Sequence, residues 1–409
     1  MSEERSYVPL LTPSGGVPPI VDSPARLGEA VAALAGGSGP IAVDTERASG
    51  YRYSQRAYLV QLRRAGAGTV LLDPIAVDDL SPLAEVLNPV EWVLHAASQD
   101  LPCLAELDLR PAVLFDTELA GRLAGYERVG LGPLVEQLLG FRLEKGHGAA
   151  DWSRRPLPAD WLTYAALDVE LLLPLAEAMA AELDTQGKRG WADEEFEAVR
   201  TAAPPAPRTD PWRRTSGIHR VRKPRQLAAV RELWAVREEL ARRRDIAPGR
   251  VLPDSAVVAA ALTDPPDKAA LVALPVFGGR AQRRQARTWD AALRRARELP
   301  SAELPTARPP VDGPPSVSRW EERDPAAAAR LVAARAALTA LAEAHQVPVQ
   351  NLLQPDLVRR LCWAPPPGDG TSAGDLHAVH EALRAGGARW WQHELTAAPL
   401  LAALQVGRG

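Results

Sequence analysis

The stretch IAVDTERASG (41–50) runs from three apolar residues straight into two carboxylates, Asp44 and Glu46. The apolar run reads as a strand. Alternation along a strand places residues i and i+2 on one face, so Asp44 and Glu46 point the same way. Two ionised carboxylates that close repel each other unless a proton or a metal neutralises them. A strand end turning into a polar loop is one account of the pair. The other is half of a metal site, which requires further carboxylates from elsewhere in the chain.

Working outward, residues 1–200 alternate in period. Helical spacing covers about 25–36, and strand-like runs follow at 40–45, 57–63 and 69–73. A helix is expected at 79–87, a strand, EWVLHA, at 91–96, and a helix at 99–107. A short apolar run at 111–115 precedes helices near 116–125, 131–139 and 159–185. Three strands in succession, then strands alternating with helices, predict a mixed sheet flanked by helices.

Further carboxylates stand at telling places in this frame. Asp100 follows EWVLHA in the first turn of the next helix, where it also suits capping. Tyr164 and Asp168 are four apart in the apolar stretch WLTYAALDVELLL (161–173), so they share a helix face. A charged Asp among Leu and Ala is costly unless paired or metal-bound; the plainer account puts it at the edge of the buried stripe. Taken together, Asp44, Glu46, Asp100 and Asp168 form an all-oxygen set suited to hard divalent cations such as Mg²⁺ or Mn²⁺. Two such ions can activate water and stabilise a leaving oxygen in phosphodiester cleavage.

The charge of the 409-residue chain is uneven. Residues 1–200 carry 17 Lys+Arg against 30 Asp+Glu, residues 201–300 carry 21 against 10, and residues 301–409 carry 10 against 11. An acidic first half joined to a basic segment suggests recruitment of a polyanion; a solvated surface is the alternative. The two cysteines, Cys103 and Cys362, are far apart and lack CxxC spacing. This argues against a zinc module or disulfide framework and suits a reducing cytosol. No run of 18 apolar residues predicts a membrane span, and the N-terminal MSEERSYVPLL does not read as a secretory signal.

Pro-rich stretches at 201–212 and 300–318 punctuate the chain and read as linkers. The expected organisation is a flexible N-terminal segment (1–24), a mixed-sheet domain (25–200), a linker (201–217), a helical bundle (218–300), a second linker (301–318) and a second helical bundle (319–409). From residue 219 strand signals disappear. Leu227, Val230, Leu233, Trp234 and Leu240 outline an amphipathic helix, with further helices at 254–262, 267–273, 279–298 and 325–345.

Three motifs in order carry a family resemblance: DTE (44–46), HAASQDL (95–101) and YAALD (164–168). With YLVQL (58–62) and KGHGAADWSRRPLPADWLTYAALDVELLLPL (145–175) they resemble the DEDDy group of 3′–5′ exonucleases, and within it bacterial ribonuclease D, over about residues 25–185. The resemblance implies a ribonuclease H-like α/β fold and a 3′–5′ exoribonuclease that trims structured RNA such as tRNA precursors. It implies metal binding by Asp44, Glu46, Asp100 and Asp168, and placement of the attacking water by Tyr164. With an ordinary pKa near ~10, a tyrosine orients water better than it deprotonates it. His95 matches a family histidine and is expected to touch substrate or to make a structural hydrogen bond. Arg154 and Arg155 are expected to contact phosphate or to brace the third-motif helix, Trp152 to brace, and Gln61 to be structural. Arg47 departs from the apolar or aromatic residue common after DTE and is expected to contact phosphate instead. The helix QLAAVRELWAVREELARRRDI (226–246) followed by APGRVLPDSAV (247–257) resembles an HRDC domain, whose arginines would bind phosphates without reading sequence. Residues 320–402 resemble a degenerate second copy. A DNA-directed exonuclease and a non-catalytic RNA-binding adaptor are the alternatives.

Overall fold

The computed structural model describes residues 7–143, 146–307 and 313–406. Lys145, the first residue of the stretch 145–175 around the third motif, and 308–312 of the second expected linker lie outside these. Eight strands are present among the described residues: β1 (Val8–Leu10), β2 (Ile20–Val21), β3 (Ser38–Arg47), β4 (Ala57–Ala65), β5 (Gly68–Leu72), β6 (Glu91–Leu94), β7 (Val113–Asp116) and β8 (Phe141–Leu143). Six form a mixed sheet in the order β2-β5-β4-β3-β6-β7, and β1 pairs with β8 separately. β3 runs antiparallel to β4 and parallel to β6, with Ile41 opposite Trp92 and Ala42 opposite Val93. Because β3 and β6 are parallel neighbours, their C-terminal ends open on the same edge of the sheet. This brings the segment after EWVL beside DTE.

The strands are apolar because both sheet faces are covered. Ile41, Val43, Leu59, Leu62, Leu71, Trp92 and Leu94 are almost wholly buried. The helix Pro24–Gly36 buries Leu27, Ala30 and Leu34, and Leu131–Leu139 buries Leu134 and Val135.

Several expectations are corrected. The expected helix at 159–185 is two helices, Ala159–Glu170 and Leu172–Thr185. Pro174 lacks the N–H that would bond back to Glu170, so the continuous helix breaks there. A helix at Arg189–Arg200 was not expected, because its many charges obscure the period; it buries Ala192, Glu195 and Phe196. Residues 7–24 are not a free segment. β1 pairs with β8 and β2 with β5, and Ser14 Oγ donates to Glu170 at 2.6 Å. Residues 201–217 are not all linker either: Trp212, 3% exposed, lies in the core of the following bundle.

That bundle comprises Pro224–Arg244, Asp254–Thr263, Lys268–Ala273 and Arg280–Glu298, around Leu227, Val230, Leu233, Phe277 and Trp289. A C-terminal bundle comprises Pro325–His345, Pro355–Trp363, Ser372–Ala385 and Trp390–Leu404 around Trp320, Leu331, Leu338 and Leu400. By length and apolarity alone Pro325–His345 would pass as a membrane span. Here its Leu331, Ala334 and Leu338 are buried among the other bundle helices.

Candidate active site

Asp44, Glu46, Asp100 and Asp168 line one cleft of about 460 Å³, together with Tyr164, His95, Arg47, Thr45, Ser49 and Gly50. A larger cavity of 770 Å³ lies between residues 74–89 and 106–108. It does not bring together side chains from the three motifs, and convergence of polar groups rather than size marks a site.

Each carboxylate arrives by its own element. Asp44 and Glu46 sit at the end of β3, as the alternation predicts. Asp100 follows a short 3-10 turn, Ala97–Gln99, and leads into the helix Leu101–Ala105. The turn is held by Asp116, at the end of β7, whose buried carboxylate accepts from the main-chain N–H of Ala96 (3.1 Å) and Ala97 (2.8 Å) while capping the helix Thr117–Leu123. The sequence reading missed Asp116, whose place at a strand end before a helix looks like ordinary capping. Asp168 and Tyr164 share the helix Ala159–Glu170, and the Tyr164 hydroxyl interacts with the Asp168 carboxylate.

The electrostatics are those of an acidic cluster short of positive charge. Glu46 is pushed up to about 10, first by burial and then by Asp44, Asp168 and Asp100. Burial, then Asp168 and Asp100, push Asp44 well above the usual carboxylate range. Burial raises Asp168 to about 7. Asp100 is also raised by burial, but Thr45 and Arg47 pull it back: Thr45 Oγ1 donates to Asp100 at 2.7 Å and the Arg47 guanidinium lies 3.4 Å away. Among the described residues, no three His, Cys, Asp or Glu side chains are gathered tightly enough to hold a metal ion as they stand. The donor set still fits hard divalent cations: four carboxylates, no soft ligand, and a buried negative cluster that a cation would stabilise.

Tyr164 is also driven upward, by burial and then by Asp168, Glu46 and Asp44. It is a neutral phenol in this cleft. Its ring fits because Gly146 and Gly148 flank it; a Cβ on Gly146 would come within 3.0 Å of the Tyr164 ring. The glycines of KGHGAAD were the available signal for this contact.

His95 lines the cleft, and burial pushes it down to about 4. The Thr117 hydroxyl donates to the Leu94 carbonyl at 3.2 Å and meets His95 Nδ1 at 2.9 Å. Where Thr117 gives its proton to Leu94, it accepts from Nδ1–H, and Nε2 is then the hydrogen-bond acceptor of a neutral imidazole.

The arginines divide. Arg47 lines the cleft, but it donates to the Gln99 carbonyl at 2.7 Å and faces Asp100. Arg155 is not among the cleft-lining residues. Its five N–H groups all bond within the protein, to Asp73, Tyr58 O, Trp152 O and Arg154 O. The expected phosphate contact by Arg155 is therefore corrected to a brace, because no donor is left over. Arg154 is exposed and also outside the cleft. Trp152 is fully buried and donates to His147 O. Gln61 is fully buried in β4, opposite Asp44.

Residues 18–184 match a family model described as 3′-5′ exonuclease, residues 226–293 an HRDC domain, and residues 313–404 a 3′ to 5′ exonuclease C-terminal domain. The chain is 33% identical over 288 residues to ribonuclease D of Acidiphilium cryptum, spanning 66% of this chain and 72% of that one. It is 32% identical to ribonuclease D of Gluconacetobacter diazotrophicus, over 80% of this chain and 82% of the relative. Among solved structures, a protein from Bifidobacterium adolescentis superposes with a TM-score of 0.90 at 37% identity, covering 98% of this chain and all of the other. Escherichia coli RNase D, described as an exoribonuclease involved in structured RNA processing, superposes with a TM-score of 0.67 at 25% identity, covering 95% and 98%. With the cleft, the mixed sheet and the two helical regions in the matching order, the chain belongs to the ribonuclease D family of 3′–5′ exoribonucleases.

Proposed function

We propose that this protein shortens structured RNA precursors, tRNA among them, from the 3′ end in the cytosol. It does so by two-metal phosphodiester hydrolysis that releases nucleoside 5′-monophosphates. The observation that carries this reading is the convergence of Asp44, Glu46, Asp100, Asp168 and Tyr164, from three separate segments, on one cleft. Asp44, Glu46, Asp100 and Asp168 are the residues that would hold two Mg²⁺ or Mn²⁺ ions. When bound, such ions neutralise the carboxylates, favour ionisation of water and stabilise the departing 3′ oxygen.

The protein's own groups supply the positioning. Tyr164, a neutral phenol beside Asp168, orients the attacking water through its hydroxyl and does not remove its proton. The bare Nε2 of His95 accepts from a hydroxyl of the terminal ribose, a contact that suits an uncharged imidazole better than a phosphate contact does. Arg47 partly neutralises Asp100 and reaches the scissile phosphate from the cleft wall. Arg154, exposed beyond the cleft, meets phosphate further along the strand. The exposed arginines of Arg280–Glu298, at 280, 283, 284 and 287, recur at helical spacing and hold the RNA body by sequence-independent contacts.

Matched RNA and DNA oligonucleotides labelled at the 5′ end test the reading, each incubated with Mg²⁺ or Mn²⁺ and with EDTA controls. The expected result is a one-nucleotide ladder on RNA that EDTA abolishes and that the double substitution Asp44→Asn, Asp168→Asn removes. Equal ladders on both polymers point to a general nuclease, because RNA preference rests on the 2′-hydroxyl. Salt-sensitive binding without a ladder points to an adaptor. Unchanged cleavage by the double variant overturns the metal-site assignment.

A further inference from the structure

The connector between β3 and β4, residues 48–56, forms part of the cleft and also touches the HRDC domain. Ser49 and Gly50 line the cleft directly after the DTE motif. Within the connector, a turn is made by the N–H groups of Tyr51 and Arg52 donating to Ala48 O at 2.8 and 2.7 Å. The catalytic domain anchors it at Ala48, which is buried beside Trp152, and at Arg52, whose Nε donates to Ser153 Oγ at 2.8 Å.

Most of its remaining anchors belong to the HRDC domain. Arg250 Nε donates to the Gly50 carbonyl at 2.8 Å, and its guanidinium lies 4.0 Å from the centre of the Tyr51 ring. Ala247 N–H donates to the Tyr51 carbonyl at 2.9 Å. Asp245 ends the long helix Pro224–Arg244 with a left-handed backbone, φ 48°. Its carboxylate accepts from Ser54 N–H at 2.8 Å and from the Tyr58 hydroxyl at 3.4 Å. Tyr53 packs against the HRDC core. Main-chain groups of three connector residues thus find their partners on another domain. A connector outside any ladder takes its conformation from such bonds, since its N–H and C=O groups must be satisfied somewhere.

We propose that the HRDC domain is a positioning element of the active site as well as a grip on RNA. Arg250 is its principal positioning residue, holding Gly50, and with it the cleft wall beside Glu46 and Arg47, in place. Asp245 is the second anchor. Movement of the HRDC domain along bound RNA is then felt at the cleft through this connector. The inference rests on the exonuclease reading of the cleft.

The test uses the whole 409-residue chain and Arg250→Ala, with Arg250→Lys as the conservative variant. The first substrate is a diribonucleotide, whose only phosphodiester is the scissile one, so a weaker grip on distant phosphates cannot slow its cleavage. Arg250→Ala is expected to lower kcat on it roughly tenfold, within the range that small misplacements of reacting groups produce. Arg250→Lys, which keeps a donor for Gly50 O, is expected to recover part of that loss. Binding of a long RNA, measured with EDTA present, is expected to remain near that of the wild type. Amide hydrogen exchange of residues 50–54 in the RNA-free protein is expected to quicken in Arg250→Ala while the sheet stays protected. Normal diribonucleotide kcat with weakened long-RNA binding would make Arg250 a phosphate contact and overturn the proposal. Unchanged exchange at 50–54 would overturn it too. Should the wild type itself show no EDTA-sensitive cleavage, the exonuclease reading fails, and the exchange measurement still decides whether Arg250 holds the connector.

Discussion

The HRDC domain meets the catalytic domain through main-chain hydrogen bonds and an arginine, whereas the C-terminal bundle meets it through stacked tryptophans. Trp391 lies on Trp191 with ring centres 4.9 Å apart and planes at 14°, and its Nε1 donates to Glu195 at 3.1 Å. Arg389 pairs with the same carboxylate at 2.9 Å. Ala342, Val347 and Leu352 join Trp391 in the core of the catalytic domain itself. The HRDC contacts cluster on one connector, whose Tyr53 packs at the edge of an otherwise separate core. The charges divide likewise: residues 201–300 are strongly basic and residues 301–409 near neutral. Helical period alone makes the two bundles look alike; their attachment and charge give them different work. A shared apolar core makes the C-terminal bundle a part of the folded catalytic body. On the function proposed above, a polar, localised contact leaves the HRDC domain free to respond to RNA.

The sharpest way to break this comparison is Trp391→Ala. It removes a fully buried aromatic from a core common to two units, and about 3–5 kcal/mol of stability is expected to go with it. Urea unfolding followed by activity and by tryptophan fluorescence should show both units weakened together. If the catalytic domain keeps its midpoint, the shared core is not cooperative. The next effect belongs to the ion pair. Among the described residues, Arg389→Ala leaves the buried Glu195 carboxylate with the Trp391 indole N–H as its one side-chain partner, and a loss of about 1–3 kcal/mol is expected by the same measurement.

On the other side of the comparison, replacing Arg283, Arg284 and Arg287 by Ala should leave stability nearly unchanged and flatten the salt dependence of RNA binding. The slope of log K against log salt should fall by about 0.7 for each single-strand phosphate that is no longer neutralised. A steep slope that survives the triple substitution would move the RNA grip elsewhere. The smallest effect is expected from Arg384→Ala in the C-terminal bundle, which breaks only an exposed i,i+3 pair with Glu381. Neither melting temperature nor salt slope should move.

The legibility of the site followed the range of the interaction involved. DTE at a strand end, Asp100 after the next parallel strand and the Tyr164–Asp168 helix face were readable, because strand alternation and helical spacing act over a few residues. Boundaries of regular helices such as Leu131–Leu139 and Pro325–His345 were readable for the same reason. Arg155 was misjudged. Its partner Asp73 lies 82 positions away, and an arginine beside a motif looks the same whether it faces phosphate or a buried carboxylate. Asp116, which caps a helix and also holds the turn before Asp100, was missed, because the second duty is visible only in three dimensions.

By itself, the sequence determined the residue types, their order and their local periods, and through them the mixed sheet, the helical regions, the acidic motif set and the basic segment. Only the tertiary structure decided which of these meet: β1 with β8 across more than a hundred residues, Arg250 with Gly50, Trp391 with Trp191. The reason is physical. Period and propensity are set by neighbours along the chain, whereas partner choice is set by burial and hydrogen-bond satisfaction among all segments at once.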